Sequence, residues 1–223
     1  MSDSLSSDNC GIASLSISKT TFNCSNIGYN TVKFKIVDVN SNKDSINFIV
    51  NVKDTTRPTI NTRDFTIYLD ASGLANLSID SVDLGSTDVC GSVARTLTKS
   101  SFNCLNKGIN TVTYSAKYVN GNIATASLTI TVLDTIYPTL SLKVATLYLD
   151  KFGSAKLNKM DIDNGSYDNC NIDSMKLSDT LFNCNQTGVN VVTVKAYDPS
   201  MNITTATVKV TVLDTIKPVL QVQ

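Results

Sequence analysis

The chain has 223 residues, 19 basic and 19 acidic side chains and no formal net charge, which excludes the one-sided basic surface that nucleic acid requires. All nineteen acids are Asp, and no apolar run nears the roughly 18 residues that a bilayer span needs. His and Trp are absent, so no imidazole can act as a general base or complete a zinc site.

Cysteines set a period. Cys10, Cys90 and Cys170 are spaced by 80 residues, as are Cys24, Cys104 and Cys184, and as are Asp54, Asp134 and Asp214. Fixed spacing without drift marks a tandem array. Its phase divides the chain into a partial repeat at 1–53, full repeats at 54–133 and 134–213, and the start of a further repeat at 214–223. The polar opening MSDSLSSDNC lacks the apolar core of a signal peptide. Met1 falls inside a repeat and is read as an artificial start or a fragment boundary.

In the partial repeat, Val32, Phe34 and Ile36, then Ile46, Phe48, Val50 and Val52, alternate with more polar neighbours, as strands with one buried face do. These are the strands of the second half of a unit only. Open apolar faces invite association, so a neighbouring chain or adjoining sequence is expected to cover them. The second repeat carries the same alternation at Val112, Tyr114 and Ala116 and at Ala126, Leu128, Ile130 and Val132.

The third repeat shows the whole unit. Pro138 breaks the preceding strand. TLYLD is a strand with Leu147 and Leu149 inward, and Gly153 makes the turn after it. AKLNKMDI is predicted to return as a second strand, followed by the polar loop DIDNGSYDNC. IDSMKLS gives a third strand with Met175 and Leu177 inward. Phe182, matched by Phe22 and Phe102, marks a short segment, and Gly188, matched by Gly28 and Gly108, marks a turn. Val192, Val194 and Ala196, then Ala206, Val208, Val210 and Val212, alternate along the last two strands. No stretch has helical period long enough for a helix. Seven or so short strands at this spacing predict an all-β fold of tandem immunoglobulin-like antiparallel β-sandwiches.

Six Cys in three in-phase pairs imply disulfides and an oxidising compartment. The favoured pairing lies within each repeat: Cys10–Cys24, Cys90–Cys104 and Cys170–Cys184. Each such loop of about 15 residues contributes roughly 3 kcal/mol in the chain-entropy picture. The alternative, Cys24–Cys90 with Cys104–Cys170, locks the joints between repeats and leaves Cys10 and Cys184 for neighbouring units.

Oxygen ligands are the second candidate chemistry. Calcium takes six to eight oxygens on flexible loops. In an immunoglobulin-type sandwich the polar loop and the final hairpin share the pole at which the chain enters. That pole gathers Asp134, Asp161, Asp163, Asp168, Asp198 and Asn202 in the third repeat, and Asp54, Asp83, Asp88, Asn120 and Asn122 in the second. The competing reading is that these side chains cap turns through local backbone bonds. Val89 replaces the Asn of the Asp-Asn-Cys triplet, Tyr118 stands where Asp38 and Asp198 sit, and Leu5 takes the phase of Gly85 and Gly165, which weakens any site built there.

The pattern YLDxxGxAxL…DxGSxDxC…SFxC…GxNTVT…NGN…TVxVxDTxxP runs over nearly the whole chain. The third repeat carries it at Tyr148, Asp150 and Gly153, at Asp163, Gly165, Ser166, Asp168 and Cys170, at Phe182, Cys184, Gly188 and Asn190, and at Asp214, Thr215 and Pro218. It resembles the immunoglobulin-like, hyalin-type repeats of giant cell-surface gliding-motility adhesins of gliding bacteria. The resemblance implies a secreted filament at the bacterial cell surface, exported by the type IX route and used for attachment or gliding. Its partners would be adjacent repeats, neighbouring chains, or a surface polysaccharide or host or substratum ligand, without nucleic acid or membrane insertion. An enzyme rarely needs one site in three copies, so a non-catalytic stalk, stiffened by disulfides and Ca2+, is the expected function. The alternative is a carbohydrate-binding module of a secreted enzyme, with the in-phase Tyr68 and Tyr148 as its platform.

Overall fold

In the computed structural model residues 6–118 and 120–221 are described, and the expectations placed on Met1 and Leu5 lie outside them. The chain forms two compact units. One comprises 1–63, 83–97 and 113–127, the other 64–82, 98–112 and 128–223.

The first unit opens with β1 (Ile12–Ile17), β2 (Gly28–Asp38) and β3 (Lys43–Val52), an antiparallel sheet in that order. The β2–β3 ladder runs from Gly28 opposite Val52 to Val37 opposite Lys43. Alternation produces these strands, but their faces stay open. Among the described apolar residues up to 53 only Val32 is buried, while Leu15, Tyr29, Ile46 and Ile49 are exposed.

The middle of the chain supplies β4 (Phe65–Tyr68), β5 (Leu74–Asn76), α1 (Ile79–Val82), β6 (Val93–Leu97), β7 (Ser101–Asn103), β8 (Gly108–Tyr118) and β9 (Ile123–Leu133). Within the first unit, β6 pairs antiparallel with the Tyr114–Tyr118 end of β8. The second unit holds the antiparallel β5–β7 pair and the parallel pairing of β4 with the Ile130–Leu133 end of β9.

The rest of the second unit is one complete sandwich: β10 (Ala145–Tyr148), β11 (Ser154–Lys156), α2 (Lys159–Ile162), β12 (Ser174–Leu177), β13 (Leu181–Asn183), β14 (Gly188–Tyr197) and β15 (Ile203–Leu213). One layer is the sheet β10-β15-β14-β12, the other the β11–β13 pair. All ladders are antiparallel except β10–β15, where the first strand lies parallel to the last. Val192, Val194, Val210 and Val212 face inward at zero exposure and meet Leu149, Leu157, Ile162 and Phe182. Branched residues on a pleated, half-buried face suit this packing. The chain is thus all-β, built from immunoglobulin-like antiparallel sandwiches.

One expectation for this repeat is corrected. AKLNKMDI does not run on as a strand: it pairs only over Ser154–Lys156 and then turns into α2. The cause is local. The Asp161 carboxylate reaches back to accept the Asn158 amide at 2.7 Å, a capping box that starts a helix. The short helix still buries Ile162, so the apolar pattern survives the change of backbone.

Candidate functional site

Each second cysteine of a repeat opens a 3-10 turn: Cys24–Asn26, Cys104–Asn106 and Cys184–Gln186. The preceding Asn caps it. The side chains of Asn23, Asn103 and Asn183 accept from the amides of Ser25, Leu105 and Asn185 at 3.1, 3.0 and 2.9 Å. Asn26, Asn106 and Gln186 return the bond to the cap amide, each at 3.1 Å. Asn30, Asn110 and Asn190 then clamp the far end, donating to the carbonyls of residues 26, 106 and 186 at 2.6, 2.7 and 2.7 Å. The clamp requires the chain to reverse at Gly28, Gly108 and Gly188, which sit at φ +106°, +93° and +103°. Asn103→Ala is expected to cost about 1 kcal/mol by loosening the turn that carries Cys104, measured by urea unfolding.

The first cysteines are held as uniformly. An Asp two residues earlier accepts the cysteine amide: Asp8 for Cys10 at 2.8 Å, Asp88 for Cys90 at 3.0 Å and Asp168 for Cys170 at 2.8 Å. The disulfides join these two kinds of turn as Cys24–Cys90 and Cys104–Cys170, each across 66 residues. The favoured within-repeat pairing is therefore corrected: Cys10 does not bond Cys24, nor Cys90 Cys104, nor Cys170 Cys184. Cys10 and Cys184 are free and exposed. The 3-10 turn of one repeat receives the Asp-X-Cys loop of the next, so phase alone could not separate the two pairings.

Within the second unit the Asp168 loop also carries a carboxylate cluster. Asp134, Asp168 and Asp198 each bring a carboxylate oxygen within 4.8 Å of the others. Asp134 and Asp198 are 7% and 3% exposed. Asp198 accepts the amides of Ser200 and Asn202 on one oxygen, both at 2.8 Å, and the Asn202 amide group on the other at 2.7 Å. Asn202 also donates to the Asp134 carbonyl at 3.2 Å. Asp134 accepts from Asn169 and the Ser200 hydroxyl, each at 3.3 Å, with the Lys107 ammonium 3.8 Å away. Three carboxylates thus face one cation. Burial pushes the Asp168 carboxyl up, and the Asp134 and Asp198 charges add to this against the Cys170 amide and Lys107. Asp168 Oδ1 and Asn169 Oδ1 are buried with no donor. Two orphaned acceptors beside an under-compensated carboxylate set fit a hard cation with oxygen ligands.

The predicted ligands divide. Asp134, Asp168, Asp198 and Asn202 come together; Asp161 and Asp163 do not join them. Asp161 caps α2. Asp163 accepts the Ser166 amide at 2.9 Å, and the Ser166 hydroxyl and amide hold its carboxyl below the usual range. In the first unit Asp83 is engaged by the Arg95 guanidinium at 2.5 Å and by Ser86. Burial opposes its charge, but Arg95 and Ser86 bring it to about 2. Asn122 donates to the Asp54 carbonyl at 3.0 Å, and Asp54 Oδ2 and Asp88 Oδ2 are buried without donors. Among the described residues no third carboxylate joins them, because Tyr118 stands where Asp198 does and its hydroxyl donates to the Cys90 carbonyl. Asn120 is exposed. The sequence reading missed Lys107, Asn169 and Ser200. Lys107 was visible only as a break in the array, in phase with Ile27 and Thr187.

Tyr68 and Tyr148, the platform residues of the carbohydrate-binding alternative, are 59% and 61% exposed at equivalent strand ends. No helix among the described residues is long and apolar enough to cross a membrane.

No protein-family model and no curated protein matches the sequence. Solved cadherin ectodomains are similar at low levels. The EC1-4 fragment of PcdhgB3 is 11% identical with a TM-score of 0.33, the match covering 89% of this chain and 60% of that one. Human mucin-like protocadherin EC1-2 is 10% identical with a TM-score of 0.37, covering 70% of this chain and 98% of that one. Drosophila N-cadherin EC1-4 is 14% identical with a TM-score of 0.35, covering 83% and 57%. The chain thus spans about three-fifths of the first of these.

Proposed function

We propose that this chain is a load-bearing repeat segment of a bacterial cell-surface adhesin filament, secreted and used for attachment or gliding. The observation that carries the reading is the disulfide between turns of successive repeats, formed twice at the same phase, Cys24–Cys90 and Cys104–Cys170. Such bonds persist outside reducing compartments. They also define what tension can do. Pulled from its two ends, the oxidised chain transmits force along residues 1–24, 90–104 and 170–223, while the segments between the bonded cysteines stay closed. Partners on this reading are adjacent repeats and neighbouring chains, with a surface polysaccharide or host or substratum ligand bound elsewhere on the filament. A Ca2+ ion held by Asp134, Asp168 and Asp198, with Asn169 Oδ1 as a further oxygen, stiffens the loop beside the second bond. No catalytic role is assigned to these carboxylates.

Force spectroscopy on the intact chain tests the reading. Extended length scales with the residues in the path, so reduction is expected to raise the final extension roughly 2.4-fold. Equal extension with and without dithiothreitol would remove the disulfides from the load path and the proposal with them.

A further inference from the structure

We infer that Lys107 sets the charge of the ion taken by Asp134, Asp168 and Asp198. It is a fixed counter-charge, supplied by the preceding repeat, that weakens Ca2+ binding and selects a divalent cation against a trivalent one. The inference deepens the Ca2+ reading proposed above and rests on it.

The disulfide brings Lys107 to the cluster. Lys107 closes the 3-10 turn Cys104–Asn106 as its C-cap residue, at φ −56° and ψ 140°. Cys104 is bonded to Cys170, which lies two residues beyond Asp168. The amine thus comes from the second repeat, while the three carboxylates open the third repeat or stand on its loops. Its ammonium lies 3.8 Å from Asp134 Oδ2, with the two side chains 22% and 0% exposed. Among the described residues Asp134 is its one ion-pair partner. Beside a carboxylate so withdrawn from water, a charge at this range is poorly screened.

One ammonium does not neutralise the set. Three carboxylates and one ammonium leave a charge of minus two, which one divalent ion cancels. Hydrogen bonds do not complete the compensation. Asp168 Oδ1 and Asn169 Oδ1 remain buried with no donor.

The first unit reaches the same charge with other residues. Asp54 and Asp88 stand at the phases of Asp134 and Asp168, and the Oδ2 of each is buried without a donor. Tyr118 stands at the phase of Asp198, and Ile27 at the phase of Lys107. Two carboxylates without an ammonium again give minus two. The repeat that gains a third carboxylate is therefore the one that gains a lysine, and the two changes cancel. The turn itself does not call for a basic residue: Thr187 closes the equivalent turn in the third repeat.

An ammonium here acts with opposite signs on two states. In the metal-free protein it relieves the repulsion among the carboxylates. Against an ion ligated by Asp134 it repels, and the repulsion grows with the charge of the ion. A trivalent ion is thus penalised more than a divalent one. Ligand charge is one of the two properties that tune Ca2+ affinity, the other being rigidity, which the disulfide supplies.

The test uses Lys107→Met, similar in length and uncharged, and Lys107→Arg, which keeps the charge. Both are made in the full oxidised chain and titrated with Ca2+ and with La3+ by calorimetry, at low and at high salt. Lys107→Met is expected to bind Ca2+ about tenfold more tightly, and La3+ to gain by a larger factor. Lys107→Arg is expected to stay close to wild type with both ions. High salt should narrow the gap between wild type and Lys107→Met. Adding Asp198→Asn to Lys107→Met restores a charge of minus two, so the preference for La3+ over Ca2+ is expected to return towards the wild-type value. In chelator Lys107→Met is expected to melt below wild type, and to gain more than wild type when Ca2+ is added. Ca2+ binding by wild type with unchanged affinities in Lys107→Met would overturn the inference and leave the Ca2+ reading standing. So would an equal gain in Lys107→Arg, because the lysine would then act through bulk and not charge. No heat and no melting shift with either ion, in wild type and in every variant, would overturn both.

Discussion

Replacing Cys104 and Cys170 together by Ser is expected to destabilise the chain by about 4 kcal/mol, because the bond closes a loop across 66 residues and so removes much chain entropy from the unfolded state. For a chain of this size that is a fall of roughly 10 °C in unfolding temperature, read by scanning calorimetry. The cycle of single variants carries the sharper content. The observed bond makes Cys104→Ser and Cys170→Ser act on one interaction, so each alone should cost nearly as much as the double variant. Within-repeat pairing would instead have put Cys104 with Cys90 and Cys170 with Cys184, and the two losses would add. Additive losses would therefore contradict the connectivity. Cys24→Ser with Cys90→Ser should behave in the same way, since that bond spans an equal separation. Cys184→Ser should leave stability nearly unchanged, as its thiol is free and exposed.

The connectivity was the least legible part of the sequence, for a definite reason. Two pairings preserve an 80-residue period, one short and one spanning 66 residues, and spacing treats them alike. What decides between them is which loop the Asn-capped turn meets, and that depends on the placement of whole strands. The strands themselves were plain: Val192, Val194, Val210 and Val212 were assigned inward and all are fully buried. α2 was hidden because four residues hold too little of a helical period, and its signal was a single Asn-to-Asp capping pair. The carboxylate cluster was half legible. Phase brought Asp134, Asp168 and Asp198 to one pole, but composition could not show that Asp163 spends its carboxylate on Ser166 or that Asp83 meets Arg95. The Ser166 contact is the turn-capping reading, a local backbone donor on a loop carboxylate, whereas the Arg95 contact is an ion pair with a side chain 12 residues on.

Saturating Ca2+ is expected to raise the unfolding temperature, and Asp134→Asn with Asp198→Asn to abolish the rise. At a hundredfold excess over the dissociation constant, linkage gives about 2.7 kcal/mol. Mg2+ should give less, because it demands a tighter octahedral shell than a loop of carboxylates and one amide oxygen provides. The pH dependence supplies a second sign. In chelator, the raised pKa of Asp168 means that the folded state holds that proton more tightly than the unfolded chain. The penalty of burying its charge, with the repulsion from Asp134 and Asp198 added, is thus present above its folded value and relieved as pH falls through it. Asp83 and Asp163 run the other way: their stabilisation is present above the ordinary carboxylate value and lost as pH falls through about 2 for Asp83 and through the depressed value of Asp163. Metal-free stability should therefore hold or rise on mild acidification before it falls. With Ca2+ the order inverts, since the ion and the proton compete for Asp168, and stability should fall from the start. Asp168→Asn should then be neutral or stabilising in chelator and should weaken the Ca2+ effect, because an amide oxygen still accepts the Cys170 amide but brings no charge to the ion. Identical melting curves in Ca2+ and chelator would leave Asp134 and Asp198 as turn caps, with Lys107 the only cation they answer to.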